Sequence, residues 1–174
     1  FPENPILVYR PFHLNERNYL YLADRGRIYG DVRLFDDQGT GIHFYTNRED
    51  TIADQEMTVE LSRIDLKQFK KVLPYLPDVE GWLGGSLHYV DSEGQMMLSA
   101  DMNLDNFVYE KSPLGNWTMS GAYLPGDNNA HHVDGFITYN DQEIIYMNGV
   151  YQADETGQEN ITGELELQHF PLRV

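Results

Sequence analysis

The sequence predicts an all-β domain built mostly from antiparallel strands, and three observations carry that prediction. Polar and apolar residues alternate with a period of two through most of the chain, the signature of strands with one dry and one wet face. Gly121, Gly135, Gly149 and Gly163 stand fourteen residues apart. Each sits in the same frame: Met119-Ser-Gly-Ala-Tyr123, Val133-Asp-Gly-Phe-Ile137, Met147-Asn-Gly-Val-Tyr151 and Ile161-Thr-Gly-Glu-Leu165. Turn-forming clusters separate the alternating segments, among them Asp36-Asp-Gln-Gly39, Asp91-Ser-Glu-Gly94 and Pro125-Gly-Asp-Asn-Asn129. Because strand side chains alternate faces, apolar–Gly–apolar at alternate positions lies along one face with a gap at its middle. Each repeat is one strand plus one turn, and such repeats mark an array or meander.

Taken in order, residues 28–35 set Ile28, Gly30, Val32 and Leu34 against Tyr29, Asp31 and Arg33. Residues 56–62 set Met57, Val59 and Leu61 against Glu56, Thr58, Glu60 and Ser62. Looser glycine frames surround Gly30 and Gly85. Residues 95–104 set Met96, Leu98, Ala100, Met102 and Leu104 against Gln95, Ser99, Asp101 and Asn103, with Met97 the exception. The last strand sets Ile161, Leu165 and Leu167 against Thr162, Glu164 and Glu166. About ten strands result. One segment breaks the period: over 65–73, Leu66, Phe69, Val72 and Leu73 recur at helical spacing. Ser62 or Asp65 can cap its start, and Pro74 and Pro77 end it. Its Lys67, Lys70 and Lys71 form the basic cluster of the chain, read as a solvated helix face.

At 174 residues the chain reads as a single domain, 1–174. It opens on Phe1 rather than Met and stops at Val174 inside the apolar stretch Phe170-Pro-Leu-Arg-Val174, so it reads as a piece cut from a longer, repeat-containing protein. A net charge of −16 argues against nucleic acid and against docking on anionic headgroups. The acids gather in turns (Asp36-Asp37, Glu49-Asp50, Asp91-Ser-Glu93, Asp141-Gln-Glu143, Asp154-Glu155) and read as solvated; no spacing resembles an EF-hand loop. With no cysteine there is no disulfide and no thiolate chemistry.

No catalytic constellation emerges, and the chain is read as a non-enzyme with no cofactor and no metal. Gly84-Gly-Ser-Leu-His88 lacks the second glycine of a nucleophile elbow and lies in a strand pattern. His131 and His132 are adjacent in a strand, point to opposite faces and read as a surface pair. The sequons Asn116-Trp-Thr118 and Asn160-Ile-Thr162 fall in strands and read as chance matches. Some pair of carboxylates will lie close in so acidic a chain, but nothing selects one for glycoside hydrolysis.

The apolar face is the remaining candidate. It collects Met96, Met102, Met119 and Met147, with Trp117, Tyr123, Tyr139, Tyr146 and Tyr151 nearby. Methionine adapts to irregular apolar partners and glycine leaves a gap along a strand, a combination suited to a groove for an acyl chain or an apolar strand. The groove lining read from the sequence is Leu83, Leu87, Met96, Leu98, Met102, Trp117, Met119, Tyr123, Val133, Ile137, Met147, Tyr151, Ile161 and Leu165. The competing reading is an ordinary core inside a closed β-sandwich or barrel, its glycines placed where a sheet must curve.

The passage Leu61-Ser-Arg-Ile-Asp-Leu-Lys-Gln-Phe-Lys-Lys-Val-Leu-Pro-Tyr-Leu-Pro-Asp-Val-Glu-Gly-Trp-Leu-Gly-Gly-Ser-Leu87 resembles the strand, Asp-Leu helix, Leu-Pro and Gly-x-Leu-x-Gly succession of the TamB family. TamB is the inner-membrane-anchored subunit of the translocation and assembly module of double-membraned bacteria. Leu104-Asp-Asn-Phe-Val-Tyr109, Pro113-Leu-Gly115 and the glycine-centred strands are similar to that family's repeats. The resemblance spans roughly 25–174 and is one of pattern, shared with AsmA-like relatives. It implies a β-taco, a sheet folded lengthwise into a trough that is apolar inside and polar outside. It also implies a periplasmic location and a partner of the TamA class of outer-membrane barrels. The implied cargo is phospholipid acyl chains or nascent outer-membrane β-strands, and the resemblance brings no catalytic residue with it. The alternative function is a closed ligand- or carbohydrate-binding module.

Overall fold

The computed structural model describes residues 4–7, 10–47, 53–127, 130–153 and 159–168. Two short strands, β1 (Ile6–Leu7) and β2 (Arg10–Pro11), pair with each other, while β3 (His13–Leu14) and β4 (Tyr19–Leu22) both pair with β5 (Ile28–Phe35). The chain then runs as a meander through β6 (Gly41–Thr46), β7 (Gln55–Asp65), β8 (Val79–Ser92), β9 (Gln95–Tyr109), β10 (Ser112–Pro125), β11 (Ala130–Tyr139), β12 (Gln142–Ala153) and β13 (Glu159–Leu167). Strands β3–β13 make one eleven-stranded antiparallel sheet whose order from β13 to β5 is the order of the chain. The sheet is neither closed into a barrel nor paired with a second large sheet among the described residues. The sandwich and barrel readings are therefore replaced by an open single layer.

Tight turns enforce the meander. Glu93-Gly94, Glu110-Lys111 and Asn140-Asp141 all take positive φ, 55° and 77°, 46° and 68°, and 47° and 65° respectively. Two successive left-handed residues form the type I′ hairpin, whose twist matches that of the strands it joins. The register shifts fall at the same end of the strands: after Leu61 in β7, after Glu80 in β8, around Gly115 in β10 and opposite Ile137/Thr138 in β12. A bulge bends its strand and increases local twist, so bulges along one margin curl that margin of the sheet.

The helix α1 (Leu66–Val72) lies between β7 and β8 and packs on β8. Asp65 rather than Ser62 is its cap, accepting from the Lys67 amide at 3.1 Å. Leu66 and Leu73 are half-buried, and Phe69, though 38% exposed, faces a small apolar cavity of about 230 Å³ with Phe12, Leu34, Ile42 and Ile64. The side chain of Val72 lies outside the described ones. Lys67, Lys70 and Lys71 are exposed, as the solvated reading has it, and two of them form surface ion pairs: Lys67 reaches Glu80 at 2.7 Å, and Lys70 pairs with Asp78.

Asp36 departs from its reading as a solvated turn acid. It is buried, accepts from the amides of Gln38 (2.9 Å) and Thr40 (2.8 Å), and meets Arg10 at 3.4 Å. Burial pushes its carboxyl up, but the Thr40 and Gln38 amides and the Arg10 guanidinium outweigh this and hold it below the usual carboxylate range. Arg10 also approaches Asp65 at 3.7 Å, tying the N-terminal segment to the foot of α1. The turn acids Glu49, Asp50, Asp154 and Glu155 lie outside the described residues.

Candidate functional site

Register places the side chains, because directly opposed residues in an antiparallel ladder share a face. One row crosses ten strands as Leu14, Leu34, Ile42, Leu61, Gly85, Met102, Met119, Ile137, Ile145 and Leu167. The next row, two residues along each strand, reads Val32, Phe44, Val59, Leu87, Ala100, Gly121, Gly135, Met147 and Leu165. A third follows from β7 as Met57, Tyr89, Leu98, Tyr123, Val133, Gly149 and Gly163. Leu83 and Trp117 flank these rows on the bulged side, and Met96, Tyr151 and Ile161 flank them on the other. All fourteen groove residues read from the sequence thus fall on one face of one sheet.

Tyr146 does not. It opposes Phe136 and Glu166 on the reverse face, since neighbouring strand residues point opposite ways. That reverse face holds most of the strand-borne charge, including Asp31, Glu60, Asp101, Glu164 and Glu166. It is not wholly polar: Leu124 and Phe136 lie there too, both exposed.

The dry face is open. Among the described residues only Phe12 and Ile144 are buried hydrophobics. Leu87, Met96, Leu98, Met119, Val133 and Met147 are all exposed, and on the last strand Ile161 and Leu165 reach 80% and 64%. The chain presents 12345 Å² to solvent. A compact monomer of its 20.1 kDa mass would present about 8,700 Å².

Within this face the small residues line up. Ala100, Gly121 and Gly135 are successive partners in the middle row, and Gly149 and Gly163 continue the line one row over on β12 and β13. Together they form a furrow running across the strands. Met102, Met119 and Ile137 wall it on one side and Leu98, Tyr123 and Val133 on the other; farther along, Met147 and Leu165 face Tyr151 and Ile161 across it. Five strands at about 4.8 Å spacing make it about 19 Å long, close to the roughly 15 Å of hydrocarbon in one leaflet of a bilayer. A Cβ at Gly149 would meet nothing nearer than the Thr162 carbonyl at 3.7 Å, and at Gly121 nothing nearer than the Asp134 carbonyl at 3.4 Å. Over Gly135 the furrow is covered, because the Met147 methyl lies 2.9 Å from where a Cβ would stand.

The two margins of the face differ. On the bulged margin Trp117 packs against Tyr139 at 5.1 Å and donates from Nε1 to the Leu114 carbonyl. On the other, the His131 ring stands between Tyr123 (5.4 Å, stacked) and Tyr151 (5.8 Å), and the Tyr123 hydroxyl shares a 2.6 Å hydrogen bond with His131 Nδ1. His131 is therefore half-buried in an aromatic row rather than at the surface. His132 faces the other way, opposing Leu124 and Val150, as expected of adjacent strand residues. A hydrogen bond to the Glu159 carboxylate, together with burial, raises the Tyr151 hydroxyl above its ordinary value.

Other candidates stay apart. Gly84 and Gly85 lie in the middle of β8, not at a strand–helix turn, and both sequons lie within strands. No group of three or more metal-ligating side chains occurs among the described residues. No described helix is long and apolar enough to cross a membrane. On the reverse face Tyr21 stacks on Tyr29 at 5.3 Å beside Tyr19, an aromatic row of the kind a carbohydrate module would show, but without the shut core that reading requires. Comparison of the chain with protein-family models, with curated proteins and with solved structures finds no match in any of the three.

Proposed function

We propose that this chain is a segment of a conduit that shields apolar cargo, foremost phospholipid acyl chains, along an open sheet face. On this reading it is a TamB-like periplasmic piece that works beside a TamA-class outer-membrane barrel and has no catalytic role of its own. The observation that carries the proposal is the uncovered dry face: an eleven-stranded sheet with apolar rows aligned across up to ten strands, a small-residue furrow along them, and almost no buried hydrophobic side chain among the described residues. In water such a surface is unfavourable by roughly 25 cal/mol for every Å² of apolar area left exposed, so it favours whatever apolar partner can lie on it. An acyl chain matches the length of the furrow. A nascent apolar strand is the second cargo the resemblance implies.

The test places a photo-reactive residue at Val133 and exposes the protein to vesicles of zwitterionic phospholipid. Met147→Arg and Leu165→Arg should remain folded and lose lipid crosslinks, because a long side chain on an open face keeps its charged head in water while crossing the furrow. Thr162→Lys on the reverse face should leave crosslinking intact. Cooperative unfolding of both inward variants would mean that the face is a closed core in solution, and the conduit reading would fall.

A further inference from the structure

Resting on that reading, we infer that the margin formed by Tyr123, His131 and Tyr151 is the head-group side of the furrow, and that it takes a zwitterionic head ending in an ammonium rather than an anionic one. The polarity of the face is one-sided. On the bulged margin the last row shared by all of β8–β11 is Leu83, Leu104, Trp117 and Tyr139, with no charge among them. On the opposite margin the same face ends in Asp91, His131, Tyr151 and, one position beyond, Glu159. An amphiphile whose chain lies in the furrow must turn its head to one margin, and only the second row carries charged groups.

Chemistry then selects the head. A depression of about 460 Å³ opens on this margin between Met96 and His131, with Tyr123 in its lining and Asp127 at its edge. Aromatic faces and carboxylates together attract an ammonium, through the ring quadrupole and by charge. Arg27, a cation on the same margin, is held by Asp54 at 2.8 Å, so among the described residues there an anionic head would meet carboxylates without a free counter-charge. The net charge of −16 adds long-range repulsion for anions.

The experiment uses three probes with one acyl chain: a phosphoethanolamine lysolipid, a phosphoglycerol lysolipid and an uncharged methyl ester. Binding is read by tryptophan fluorescence in a Trp82→Phe background, which leaves Trp117 on the dry face as reporter. The zwitterionic probe should bind about two- to fivefold more tightly than the anionic one, the scale of an exposed cation–aromatic contact. Glu159→Lys should abolish or reverse that preference while methyl ester binding stays unchanged, and Tyr151→Leu should weaken the preference. Thr162→Lys, which adds the same charge to the reverse face of the same strand, should keep the preference. If all three probes fail to bind, the conduit reading itself is wrong. If the methyl ester binds but the two heads bind equally, or if Thr162→Lys acts as Glu159→Lys does, the head-group assignment is overturned.

Discussion

Replacing the furrow glycines one at a time separates their backbone role from their role as empty space. At Gly149 an added Cβ would find its nearest neighbour, the Thr162 carbonyl, at 3.7 Å, an ordinary contact. Glycine inside a strand is less stable than alanine by about 0.5–1 kcal/mol, mainly through chain entropy. For a chain of this size each kcal/mol moves the melting temperature by about 2–4 °C, so Gly149→Ala should raise it by about 1–4 °C. Gly85 is the opposite case: its φ is +133°, and a Cβ would stand 2.2 Å from the Asp101 carbonyl and 2.7 Å from Met102 Cα. Strained backbone alone costs about 1–3 kcal/mol, and the ladder must also part to admit the methyl group. Gly85→Ala should therefore melt several degrees below the parent. The assay is thermal unfolding by far-ultraviolet circular dichroism, followed by lipid crosslinking at Val133. If Gly149→Ala destabilises as much as Gly85→Ala, the space above Gly149 is not empty in solution and the furrow argument fails. If Gly149→Leu folds well yet loses crosslinking, the glycine is there for the cargo and not for the sheet.

Ile144 is 1% exposed and Met147 36%, so Ile144→Ala should cost about 2–5 kcal/mol in chemical denaturation and Met147→Ala distinctly less. Lys111 holds φ at +68° in the second position of its hairpin, and Lys111→Gly should stabilise by about 0.5–1 kcal/mol in the same assay. The Asp36 carboxyl sits below its ordinary value in the folded chain. Its contribution is thus complete above the unfolded value of about 3.9 and is lost as pH falls through the lower folded one. Asp36→Asn should lower stability at neutral pH and flatten the acid limb of a stability–pH curve; an unchanged acid limb would refute that account.

Parity made most of the dry face legible. A strand's side chains repeat every two residues, so Met119, Tyr123, Val133, Ile137, Met147 and Tyr151 could be assigned together before any pairing was known. Tyr146 shows the rule by violation: its closeness in sequence to Met147 puts it on the other side. The helix was legible because its period and its prolines are local. What escaped depends on pairings between distant parts of the chain. Asp36 looks like any turn acid until Arg10, twenty-six residues earlier, reaches it. Ile144 is buried beside a one-residue register shift opposite Ile137/Thr138, which has no mark in its own strand. The aromatic row around His131 joins three strands, and only the fourteen-residue spacing hinted that those strands would be neighbours.

The meander has a consequence for how the molecule comes apart. From β6 to β13 each strand is hydrogen-bonded only to the strands before and after it in the chain. Stability in such a layout is a sum of local terms, much as in stacked repeat proteins, rather than the property of one shared interior. Folding can spread hairpin by hairpin with short loop closures, and loss of structure can advance from an edge without collapse of the remainder. The β13 edge, where every residue is exposed, is where unzipping should begin, and hydrogen exchange should slow strand by strand moving inward from it. A layout of this kind can also be lengthened or shortened in evolution by whole hairpins, changing the reach of the furrow while its cross-section stays the same.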